Sequence, residues 1–139
     1  MITYQMDAKL DAANFKDLLV RTELHRQIND DQKLQGMLDH ADFLYTAWDG
    51  DKVVGYVRGL TDYADVIYIA DLAVDADYRH QGIARHLLGM VQDQLGQTLH
   101  TVLLASLYAK DFYAKIGFTK DSRGYVKNPQ HLDPADWTV

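Results

Sequence analysis

Ile69-Ala70-Asp71-Leu72-Ala73-Val74-Asp75-Ala76-Asp77-Tyr78-Arg79-His80-Gln81-Gly82-Ile83-Ala84-Arg85-His86-Leu87-Leu88 changes its period part-way along. From Val66 to Val74 the residues are mostly apolar, as in a strand covered on nearly both faces. Asp75 to Gln81 is polar and ends at Gly82. From Ile83 the apolar positions become Ile83, Leu87, Leu88, Val91 and Leu95, one face of a helix for which Gly96 is the expected cap. A strand thus feeds a polar turn that opens a helix. A helix start offers free N–H groups and the positive end of a dipole, which suit an anion. Gly82 has no side chain to block a phosphate, and Ala84 is nearly as small. Arg79 and Arg85 can add charge-assisted contacts. The segment reads as a seat for a pyrophosphate. It contains neither a P-loop nor a Gly-x-Gly-x-x-Gly fingerprint, so nucleoside-triphosphate and dinucleotide folds are not indicated.

Working outward, Ile2–Met6 alternates like a strand. Asp11–Leu24 and Asp30–Leu38 carry apolar residues at helical spacing. Phe43–Trp48 and Lys52–Leu60 flank Asp49-Gly50-Asp51, a hairpin signal. Beyond the central helix, Thr101–Leu107 reads as a strand and Tyr108–Ile116 as a short helix stopped by Gly117. Phe118–Lys120 and Gly124–Lys127 read as final strands, before an irregular tail holding Pro129 and Pro134. The order β-α-α-β-β-β-α-β-α-β predicts one α/β domain over residues 1–139. Its sheet is mostly antiparallel, with one parallel pair at the crossover through the central helix.

Composition narrows the function classes. The chain has 139 residues, 47% hydrophobic and 24% charged, a formal net charge of -6 and no cysteine. That excludes disulfides, thiolate metal sites and a cysteine nucleophile. No basic stripe marks a nucleic-acid binder, and no apolar run is long enough to cross a membrane. No secretory leader is read at the N-terminus, and a cytoplasmic protein is expected. The histidines show no metal-ligand spacing: His80 and His86 do not share a helix face. Ser106 lacks a nucleophile elbow.

Leu72, Val74, Arg79, Gly82 and Ala84 match a Leu-x-Val strand followed by Arg/Gln-x-x-Gly-x-Gly/Ala, and in this the chain resembles the GCN5-related N-acetyltransferase (GNAT) superfamily. Phe112-Tyr113-Ala114-Lys115-Ile116-Gly117-Phe118, some thirty residues downstream, is similar to the family's Tyr-x-Lys-x-Gly-Phe element. The resemblance covers about Phe43 to Lys127. It implies a three-layer α-β-α domain, with a central mixed sheet of six to seven strands and about four helices. It also implies acetyl transfer from acetyl-CoA to a primary amine, by direct attack. By this resemblance the backbone of Leu72, Ala73 and Val74 would pair with the pantetheine arm, and an N–H near Leu72 would hold the acetyl carbonyl. The loop Arg79, His80, Gln81, Gly82, Ile83, Ala84 and Arg85 would cradle the pyrophosphate. Ser106, where the family often has Asn, and Phe112 would also contact the cofactor. Tyr113 stands at the general-acid position.

Direct transfer needs a neutral amine. With a pKa of about 10.4, that form costs roughly 4.6 kcal/mol near pH 7. The residue that bears this cost is left open. Some relatives carry a glutamate where Ala70 stands. Asp71 is the nearest carboxylate, with base, acceptor contact and structural anchor as equal readings. Tyr68, His25 and Glu23 are further pocket candidates. The acceptor is expected to be a small molecule, and relatives are often homodimers. The alternative is a non-catalytic acyl-CoA sensor.

Overall fold

The computed structural model describes residues 1–106 and 109–129. β1 (Ile2–Gln5) leads to α1 (Ala12–Thr22) and α2 (Asp31–Asp39). β2 (Phe43–Asp49), β3 (Lys52–Thr61) and β4 (Val66–Val74) follow as a meander. A 3-10 turn at Ala76–Tyr78 precedes α3 (Ile83–Leu95), β5 (His100–Leu103) and α4 (Lys110–Lys115).

Local chemistry sets the element starts. Asp11 and Asp30 stand in extended conformation, and their carboxylates accept the amides of Asn14 at 2.8 Å and Lys33 at 3.1 Å. Each supplies a partner for an amide that a helix start leaves open. In the hairpin Gly50 takes the positive φ (60°) that a two-residue turn between Asp49 and Lys52 demands.

The sheet runs β1-β2-β3-β4-β5, with three antiparallel pairings and a parallel β4–β5 pair. Helices cover both faces. Phe15, Leu18, Leu19 and Leu34 of α1 and α2 pack on Val53, Tyr56 and Ala73. Ile83, Leu87, Leu88 and Val91 of α3 pack on Val54, Val57, Ile67 and Ile69. Each of those α3 side chains contributes roughly 1.5–3 kcal/mol by leaving water. The three-layer α/β architecture is therefore as expected.

The strand count is not. Five strands form among the described residues, where six to seven were expected. Phe118–Lys120 and Gly124–Lys127 are irregular, and Tyr125 is 97% exposed. A strand needs a neighbour to satisfy its backbone, and these segments gain none among the described residues. β5 is also shorter than Thr101–Leu107. The expected strand end at Leu107, the helix start at Tyr108 and Pro134 lie outside the described residues.

One irregularity positions the site. Opposite β3 the register slips between Arg58↔Asp71 and Gly59↔Ile69, which leaves Ala70 as an extra residue in β4. Ile67 and Ile69 face α3, and so do Leu72 and Val74. The parity therefore flips at this bulge, and Asp71 and Ala73 turn to the α1/α2 side. Gly59 lies at the same slip. A Cβ there would come within 2.3 Å of Phe43 Cζ and 2.4 Å of the Tyr68 carbonyl oxygen.

Candidate active site

β4 is paired with β3 along nearly its whole length, but with β5 only from Val66 to Ile69. From Ala70 to Val74 the edge toward β5 has no strand neighbour among the described residues. The amide of Asp75 donates to the Val54 carbonyl at 2.7 Å, which fixes the phase of the ladder. Ala73 and Asp71 then direct their backbone groups to β3. Leu72 and Val74 direct theirs to the open edge. Ala73 itself is buried against α1 and α2, so only the flanking two of the three expected residues present hydrogen-bonding groups there.

The open edge runs into a tied turn. Asp75 is 2% exposed. It accepts the Asp77 amide at 2.9 Å and Arg21 Nη1 at 2.6 Å, with Lys52 Nζ 3.8 Å away. Burial alone would raise its pKa; the amide and the two cations outweigh that and hold it below the usual carboxylate value. Tyr78 Oη donates to Asp49 at 2.6 Å and pins the 3-10 turn to the hairpin.

The next residues wind tightly. His80 (φ 64°) and Gly82 (φ 80°) are both left-handed. Gly82 caps α3 without any side-chain cap, and the first helical bond is His86 N–H to the Gly82 carbonyl at 3.0 Å. The amides of Ile83, Ala84 and Arg85 consequently have no protein partner among the described residues. A Cβ at Gly82 would meet nothing within 4 Å. The space in front of those amides is open, which is what a cradled diphosphate needs.

Two expected side chains are engaged elsewhere. Arg79 Nη2 donates to the Thr22 carbonyl at 2.9 Å and lies 3.6 Å from Glu23. Through this nitrogen the guanidinium ties the loop to the end of α1. Glu23, one of the pocket candidates, is the left-handed cap of α1 (φ 59°).

Asp71 is 2% exposed, between Arg26 Nε at 2.7 Å and Arg58 Nε at 2.7 Å. A second Arg26 nitrogen donates to the bulged Ala70 carbonyl at 2.7 Å. Asp71 thus anchors the α1–α2 connection to the sheet beside the open edge. Arg26 and Arg58 were not anticipated. Arg58 is directly opposite Asp71 in the ladder, so the hairpin register combined with a buried aspartate could have found it. No sequence signal pointed to Arg26. Tyr56 Oη is enclosed with no hydrogen-bond partner among the described residues, and its pKa is pushed well up by burial and the nearby Asp71 charge.

Tyr113 packs between Phe112 (ring centroids 5.2 Å apart) and Phe118 (5.5 Å), in the apolar layer that also holds Leu72 and Val74. Burial raises its pKa above the ordinary phenol value, so it stays protonated at neutral pH. Ser106 is exposed just past β5, its carbonyl accepting the Ala109 amide at 3.0 Å. Tyr68 is 38% exposed, on the face opposite Ile67 and Ile69. No cluster of histidine and carboxylate ligands for a metal occurs among the described residues, nor any helix long and apolar enough to cross a membrane.

The acetyltransferase (GNAT) domain family matches residues 8–132. No curated protein matches the chain. Among solved structures, a probable acetyltransferase from meticillin-resistant Staphylococcus aureus is similar at a TM-score of 0.77 and 20% identity, covering 92% of this chain and 100% of that one. A GNAT family acetyltransferase from Streptococcus pneumoniae gives 0.74 and 23%, over 94% and 100%. An aminoglycoside acetyltransferase from an uncultured soil metagenomic sample gives 0.69 and 24%, over 95% and 97%. At these identities the structures speak for the fold, and the domain match for the family. Both agree with the open β4 edge and the uncapped helix start: this chain belongs to the GNAT acetyltransferases.

Proposed function

We propose that the protein moves an acetyl group from acetyl-CoA to the primary amine of a small molecule, in the cytoplasm. The observation that carries this reading is the continuity of the open β4 edge with the unpartnered amides of Ile83, Ala84 and Arg85. An extended arm and a diphosphate need those two features end to end. When bound, acetyl-CoA supplies an activated acetyl thioester. The Leu72 and Val74 backbone would hold the arm as an added strand, and the amides behind Gly82 would hold the phosphates. An N–H near Leu72 would stabilise charge on the acetyl oxygen. Tyr113 would give its proton as the thiolate leaves. Its raised pKa opposes full proton loss, so the transfer is to be completed as the sulfur's charge develops.

Asp71, clamped by two guanidiniums, is proposed as a positioning residue that holds the α1–α2 connection over the site, and not as the base. One fold relative is an aminoglycoside acetyltransferase, which supports an amine acceptor.

The test is calorimetric titration with acetyl-CoA, followed by thiol release with a panel of amines. Binding is expected, with turnover on at least one primary amine and a Tyr113→Phe rate lower by about 10²-fold. Binding with no turnover on any amine would replace the reading with an acyl-CoA sensor. No binding would remove both.

A further inference from the structure

One sizeable cavity lies away from the acetyl-transfer cleft. It is a groove of about 750 Å³ at the other end of α3, among Met6–Leu10, the end of α2, the start of β2 and Tyr63. It exists because the β1–β2 ladder stops at Gln5↔Thr46 while β2 begins at Phe43, so the outer edge of Phe43–Tyr45 has no strand neighbour among the described residues. With α3 thirteen residues long, the groove and the Gly82 loop are roughly 18 Å apart.

Its electrostatics are one-sided. Asp7, Asp39 and Asp42 line it against a single cation, Lys9. Asp39 and Asp42 each use one oxygen internally, accepting Gln35 Nε2 and the Thr61 amide, both at 2.8 Å. α2 and α3 both end at the groove, and neither has a basic residue in its last turn. Their carbonyl ends add to the negative potential. Phe43, Tyr45 and Tyr63 supply aromatic walls on which an ammonium can rest.

A second feature, independent of the acids, points to a ligand. Tyr45 is 7% exposed and lines this groove, yet its hydroxyl makes no hydrogen bond among the described residues. It is not among the fully enclosed unpartnered atoms, so it opens on the groove. Burial, and next to it Tyr63, push its pKa up, which keeps the hydroxyl neutral and able to accept from an ammonium. A volume of this size is typical of small-molecule sites. The acids do not converge as a metal site would require. Charges spread along a trough match a cation whose charges are spread as well.

We infer that this groove binds a linear organic polycation, with two or more alkylammonium groups on an aliphatic chain, at a site separate from the acetyl-transfer cleft. The probe is spermidine, titrated calorimetrically into the full chain at low salt, with amide shifts mapped by NMR. Saturable binding is expected, with shifts centred on Phe43–Tyr45 and Gln94. Hexylamine should bind at least tenfold more weakly. The Asp7→Asn/Asp39→Asn pair should weaken spermidine about tenfold, and Tyr45→Phe about threefold. The Asp→Asn changes are isosteric, and Tyr45→Phe removes a single oxygen while keeping the ring in the core. Absence of saturation, an affinity unmoved by the double substitution, or shifts confined to Ala70–Val74 would each overturn the inference. The last result would mark spermidine as an acetyl acceptor in the cleft.

Discussion

Replacing Asp71 by asparagine tests the charge cluster at its centre. The shape is kept, but the carboxylate is 2% exposed and takes Nε of both Arg26 and Arg58 at 2.7 Å. An amide offers one acceptor and turns a donor toward one guanidinium. Removing one partner of a buried ion pair costs about 3–5 kcal/mol. The arginine side chains are 30% and 12% exposed, so water recovers part of that. About 3 kcal/mol is expected. For a chain of 139 residues the unfolding entropy is roughly 0.3 kcal/mol per kelvin, so Tm should fall by about 10 °C. The assay is thermal unfolding followed by circular dichroism, together with acetyl-transfer rates at 10–15 °C, where both forms are folded. There kcat should stay within about tenfold of the parent. Adding Arg58→Met to the variant should restore part of the stability, because it removes the unpaired charge. A Tm within 2 °C of the parent together with a kcat loss beyond 10²-fold would refute the reasoning and make Asp71 the proton acceptor.

Gly82→Ala places a side chain at φ 80° in open space. The strain should cost about 1–2 kcal/mol in unfolding experiments, and re-aimed amides should lower acetyl-CoA affinity at least tenfold by calorimetry. Gly59→Ala drives a Cβ to within 2.4 Å of the Tyr68 carbonyl oxygen, where backbone cannot yield without breaking the β3–β4 ladder. A loss of about 3 kcal/mol in urea titration is expected. The lowered pKa of Asp75 sets a pH dependence. Its folded value lies below the unfolded one, so its contribution is complete above about pH 5 and disappears as pH falls through the folded value. Asp75→Asn should therefore flatten the acid limb of the stability–pH curve below about pH 5, with the neutral region uniformly lower.

Much of this architecture is local enough to be read from the chain. Asp11 and Asp30 announce helix starts because a short carboxylate beside free amides has one favourable use. The Ile83, Leu87, Leu88, Val91 stripe and the Gly50 turn follow from period and φ alone. Gly82 was legible as an open helix start for the same reason. The Arg79 tie to the Thr22 carbonyl was not legible, because a long cation takes whichever carbonyl the fold brings near. The alternating segments after Gly117 looked like strands, but alternation describes a side-chain pattern, and a strand also requires an edge to join.

The α/β order of elements, the helix faces, the hairpin and the family motifs were thus determined by residues within a few positions of one another. The bulge at Ala70, the parting of β5 from β4 after Ile69 and the Arg26–Asp71–Arg58 clamp were decided only by the tertiary structure. Each depends on how far a neighbouring strand extends or where a distant side chain is anchored. Those are outcomes of packing between segments up to 45 residues apart, and no short-range period encodes them.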